Sequence, residues 1–166
     1  DYKPPMAEPL RHPQVWISIF LFFMYVGGEG ALGTWIYSLL TESRGVDPTL
    51  AGFWAGSYWA TFTIGRVVAG LFAKRIGVNL LVTGGLAGAL LGSVLLVLNP
   101  SQAVNLLAVA VIGFSIAPIF PAMMSGTSQR VGDHFAANTI GMQMAATGLG
   151  TAVIPGILLS EQAYRD

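Results

Sequence analysis

The 166-residue chain contains no cysteine, which excludes disulfides, thiol catalysis and thiolate metal sites. Charge is almost as scarce: Asp, Glu, Lys and Arg make up 10% of the residues, against about 25% in an ordinary soluble domain. Eight basic and eight acidic side chains leave a net charge of zero, so there is no basic surface of the kind nucleic acid requires. The two histidines, His12 and His134, fall in polar segments where no nucleophile and base share a face, and no metal-ligand spacing occurs. Neither an enzyme nor a metal or cofactor site is expected.

Apolar residues dominate the rest, at 54% of the chain and a mean hydropathy of +0.65. Five runs, 15–40, 52–73, 78–98, 104–124 and 137–159, each approach or exceed the roughly 20 residues that cross a bilayer. The pattern predicts an all-α polytopic membrane protein of five transmembrane helices, with a short segment 1–14 before them and a tail 160–166 after. An odd number of spans puts the termini on opposite sides. Lys3, Arg11, Lys74, Arg75 and Arg130, with Arg66 near the same face, lie on one side and only Arg44 and Arg165 on the other. The positive-inside rule then places the N-terminus in the cytoplasm and the C-terminus outside, in a plasma (inner) membrane. The segment before Val15 is polar and broken by proline, unlike a signal peptide. Asp1-Tyr2-Lys3 without an initiator methionine suggests a fragment.

The connections are short. Asp47-Pro48 begins a helix near Thr49, Lys74–Gly77 forms a tight turn, Asn99-Pro100-Ser101 breaks the chain, and 126–136 is the longest polar loop. Function is therefore sought inside the bilayer.

The stretch Tyr25-Val26-Gly27-Gly28-Glu29-Gly30-Ala31-Leu32-Gly33 puts a carboxylate in the middle of the first span. Such a group costs several kcal/mol unless it faces a polar cavity or a partner, so Glu29 is the leading candidate for a substrate or proton site. Tyr25, four residues away, shares its helix face. The surrounding glycines suit a discontinuous helix at a cavity, the reading preferred here; the alternative is close helix packing around a structural Glu29.

In the second span Trp54, Tyr58 and Thr61 fall on one stripe beside Trp59. Rings next to hydrogen-bonding groups suit a sugar, whose C–H face stacks while its hydroxyls bond, although Trp and Tyr near span ends also form interfacial belts. In the fifth span Thr139, Gln143, Thr147 and Thr151 recur every four residues, either lining a path or holding helices together, with Gln143 the member expected to touch a solute. Pro118 and Pro121 bend the fourth span. Gly84, Gly88 and Gly92 in the third form a small-residue packing face, which could also serve self-association. Arg66 near the end of the second span can snorkel to the membrane boundary.

Gly70, Arg75 and Gly77 around the second loop resemble the glycine–base–glycine pattern of the major facilitator superfamily, with Lys74 where an acidic residue is usual and Asn79 where a further base is common. Tyr25-Val26-Gly27-x-Glu29, Tyr58-Trp59 followed by Gly65-Arg66, and Phe120-Pro121 resemble its fucose permease-like branch. The resemblance implies a partial major facilitator fold, helices seven to eleven of twelve, from a secondary transporter moving a small polar solute such as a sugar, with proton coupling. Combined with where these side chains fall along the spans, this gives expected substrate contacts from Tyr25, Glu29, Tyr58, Trp59 and Gln143, proton coupling at Glu29, and a cytoplasmic gate of Arg66, Gly70, Arg75 and Gly77. The resemblance also implies a missing N-terminal half, or a homodimer in its place, because alternating access needs two repeats. The contrasting expectation is a non-transporting module that self-associates through its exposed half-carrier faces.

Overall fold

The computed structural model describes residues 5 and 7–163. Lys3 and Arg165, used above for orientation, and the end of the 160–166 tail lie outside them. Among the described residues the structure is helical and without strands. A short 3-10 turn, Pro9–Arg11, precedes α1 (Pro13–Ser38), which passes into a π-helical turn, Leu39–Ser43. There follow α2 (Pro48–Ile76), α3 (Val78–Leu98), α4 (Gln102–Ile116), α5 (Ile119–Ser125), α6 (Thr127–Val131) and α7 (Asp133–Ala163).

Local chemistry explains the boundaries. Asp47 caps α2, its Oδ1 accepting from the backbone N–H of Thr49 at 3.0 Å and of Leu50 at 3.2 Å, with Pro48 in the first turn. Ser101 caps α4 by accepting from Val104 N–H at 3.3 Å. The fourth span is interrupted between Ile116 and Ile119, at Ala117-Pro118, where proline removes a donor. The expected loop 126–136 is instead mostly helical, holding α6 and the start of α7.

Among the described residues, four stretches are long and apolar enough to cross a membrane: Pro13–Ser43, Val78–Leu98, Gln102–Ser125 and Asp133–Leu158. α2 matches them in length, with 29 residues, but its hydroxyls, ring heteroatoms and Arg66 dilute its apolar content. Bulky apolar side chains such as Phe20, Leu71, Leu90 and Val97 are exposed, as suits helices facing lipid rather than water. The chain is an all-α polytopic membrane protein.

Its described residues form two compact units. The first comprises the chain up to Ala31 and from Met124 onward; its core includes Val15, Phe22 and Ala146. The second, Leu32–Met123, is built around α4, which packs against both α2 and α3 and buries Leu106, Val109, Ile112 and Ile116.

Candidate functional site

In the first unit, α1 runs unbroken past Glu29, so the discontinuous helix expected there is absent. The reason is packing. α1 and α7 cross with their backbones in contact: a Cβ on Gly27 would sit 2.7 Å from the Gly150 carbonyl oxygen, and one on Gly150 would strike the backbone of Phe23. Glycine here admits a neighbouring helix rather than breaking its own. Tyr25 and Glu29 are both half-buried in this stretch, and a Cβ on Gly30 would rest 3.6 Å from the Thr151 methyl of α7.

The polar stripe of α7 divides in two. Thr147 and Thr151 turn their hydroxyls back to their own helix, bonding the carbonyls of Met144 at 2.7 Å and Thr147 at 2.9 Å. Thr139 and Gln143 are fully buried. Gln143 Nε2 donates to Ser18 Oγ of α1 at 2.6 Å, while its Oε1 accepts from Thr127 of α6 at 3.2 Å. Arg130 donates to the Thr127 hydroxyl at 3.2 Å, which continues the chain of bonds. Burial holds the Arg130 guanidinium below its ordinary pKa. Thr139 Oγ1 is buried with no hydrogen-bond partner. Ser18 and Thr127 were not anticipated, because each is a single hydroxyl without a periodic companion.

In the second unit, Tyr58 is wholly buried and Trp59 is 44% exposed. Their rings meet edge to face at 5.1 Å, and each also packs on Phe62. A Cβ on Gly33 would strike the Trp59 ring, so that glycine seats the indole. Thr61, the third member of the expected stripe, bonds the Ser57 carbonyl of its own helix at 2.8 Å. The guanidinium of Arg66 lies 4.3 Å from the centre of the Phe62 ring and 5.5 Å from that of Phe120. Arg66 thus stacks on two rings, in addition to any reach toward the boundary.

The third-span packing face is shifted from the expected one. Gly85, Gly88 and Gly92 meet Ser115 and Ile112 of α4, while nothing approaches Gly84. Gly88 therefore serves contact within the chain. The expected turn Lys74–Gly77 is instead the last turn of α2 and its cap: Gly70 and Arg75 lie exposed on α2, and Gly77 ends the helix at φ 81° and ψ 153°, a conformation close to glycine-only territory. Gly132 ends α6 in almost the same way, at φ 84° and ψ 149°. The signal for it was present: Arg130-Val131-Gly132 repeats the Arg75-Ile76-Gly77 pattern.

The sequence pattern of the Major Facilitator Superfamily matches residues 3–155. The chain belongs to that superfamily. It is similar to bypass of stop codon protein 6 of Saccharomyces cerevisiae, 27% identical over 163 residues, which cover 92% of this chain and 33% of that protein. It is also similar to human sodium-dependent glucose transporter 1, 28% identical over 158 residues (92% of this chain, 30% of the relative). The mouse sodium-dependent glucose transporter 1A is 28% identical over 149 residues (89% and 35%). This Major Facilitator chain spans about a third of the length of these curated relatives. No solved structure gives a significant match. The superfamily is one of transporters rather than enzymes.

Proposed function

We propose that the chain is part of a secondary active transporter that moves a small polar solute, a sugar, through the bilayer by cation symport. The observation that carries this is a half-buried carboxylate, Glu29, in the interior of a membrane-crossing helix of a Major Facilitator chain. A carboxylate in that setting can take up and release a coupling cation as the cavity around it opens to one side or the other. The resemblance to the fucose permease-like branch favours a proton as the coupling ion; the names of the human and mouse relatives add sodium as the competing ion.

Tyr25 and Glu29 bond the solute hydroxyls in this reading, and Tyr58 and Trp59 supply aromatic surface. Gln143, whose amide is occupied at both ends, supports the site by holding α1 to α7. Arg66, Gly70, Arg75 and Gly77 serve the cytoplasmic gate. The relatives are about three times as long, which supports reading the chain as part of a larger carrier. The order of its motifs favours the C-terminal half, helices seven to eleven, within this proposal. A plasma-membrane location, with the N-terminus cytoplasmic, belongs to the same proposal.

The test is uptake of labelled glucose by proteoliposomes carrying the full-length parent, driven by a proton gradient or a sodium gradient. Glu29→Gln should abolish gradient-driven uptake while leaving the protein folded, and the gradient that drives the wild type names the ion. Normal gradient-driven uptake by the variant would remove Glu29 from the mechanism.

A further inference from the structure

The second unit holds a cavity of about 290 Å³ that the transport reading does not use. It lies where the end of α1, the α1–α2 connection and the α3–α4 connection meet, lined by Leu40, Arg44, Val46, Asn99, Ser101, Gln102 and Asn105. Among the described residues, one cation and no carboxylate line it. A water occupies about 30 Å³ of liquid, so the space admits a small polyatomic ligand.

Two of its polar groups have unused hydrogen-bonding capacity. Arg44 donates through one terminal nitrogen to the Leu96 carbonyl at 2.8 Å, which fixes the guanidinium, yet its Nε is buried with no partner. Asn105 is only 3% exposed; its Nδ2 donates to Asn99 Oδ1, yet its own Oδ1 is buried with no partner. Burying such groups unsatisfied is costly, and a native site retains them where a ligand completes them. The cavity also adjoins the N-terminus of α4, where Gln102 and Ala103 N–H come before the first intrahelical bond, from Asn105 N–H to the Ser101 carbonyl, and the helix dipole favours negative charge. Asn99, held in the left-handed region at φ 50°, aims its side chain at Asn105 and so fixes the amide of the latter.

The two unmet groups differ in sign of demand. Arg44 Nε calls for an acceptor and, with the α4 N-terminus, for negative charge. Asn105 Oδ1 calls for a donor. We infer that this cavity is a binding site for a small oxyanion that also carries a hydroxyl, the chemistry of hydrogen phosphate, a hydroxycarboxylate or a phosphatidylglycerol headgroup. The anion meets Arg44 and the α4 N-terminus, and the hydroxyl donates to Asn105.

Phosphate and sulfate separate the two demands, because they are alike in size and charge but only phosphate near neutral pH carries an O–H. Thermal unfolding of the intact protein in a neutral detergent should show saturable stabilisation by phosphate, with sulfate about tenfold weaker for want of one hydrogen bond. Arg44→Gln should abolish the phosphate effect. Should that variant fail to fold, Asn105→Asp keeps the side-chain size but places a second negative charge against the ligand, and it should lose the effect as well. Equal stabilisation by phosphate in wild type and Asn105→Asp, or sulfate acting as strongly as phosphate, would overturn the assignment. In lipid nanodiscs, phosphate binding that survives in phosphatidylcholine but vanishes in phosphatidylglycerol identifies the headgroup as occupant; binding in both identifies a soluble anion.

Discussion

Gln143 on α7 donates to Ser18 on α1 at 2.6 Å across 125 residues of chain, and the other end of the same amide accepts from Thr127. One fully buried side chain thereby ties three helices of the first unit. Hydrogen bonds of this kind inside membrane proteins contribute about 0.6 kcal/mol on average and up to about 1.7. Gln143→Leu should therefore lower stability by about 1–2 kcal/mol, read by denaturation in detergent. Ser18→Ala made in the Gln143→Leu background should cost much less than Ser18→Ala alone, because the two share one bond.

The crossing of α1 and α7 depends on glycine at specific positions and not at others. Gly150→Val forces a side chain into the Phe23 backbone and should cost about 1–3 kcal/mol by overpacking. Gly28 has nothing within 4 Å of its Cβ position, so Gly28→Ala should leave the melting temperature unchanged or raise it. A comparable loss in both variants would mean that the crossing is not where the strain falls.

Gly77 and Gly132 adopt nearly the same backbone conformation where one helix stops and the next begins. An alanine there is held in a region costing about 1–3 kcal/mol. Gly77→Ala and Gly132→Ala should each destabilise by that amount, whereas Gly70→Ala, in open space within α2, should not. Thermal melts of the three variants side by side make the comparison.

Arg66 over Phe62 is a coupled pair. A double-mutant cycle with Arg66→Met and Phe62→Leu should return an interaction of about 0.5–1 kcal/mol, the range of an exposed cation–π contact. If Arg66 acted only by reaching the membrane boundary, the two changes would be additive.

Run length and breaking residues were enough to read the fold class. Apolar stretches of bilayer length cannot leave backbone groups unpaired in lipid, so they must be helices, and Asp47, Ser101 and Pro118 mark where those helices start or stop. Glu29 stands out as a candidate from sequence alone, because a lone carboxylate in such a stretch is conspicuous whatever surrounds it. What each glycine does was not legible. Gly27 and Gly28 are neighbours of one type, yet one is pressed against α7 and the other meets nothing, a difference set by the crossing angle of helices over a hundred residues apart. The same holds for the polar side chains. Thr147 bonds its own helix while Gln143 bonds two others, and Arg44 shares a cavity with Asn105. Spacing along a helix assigns a residue to a face, but the partner on the other side of that face comes from long-range packing, which no local pattern encodes.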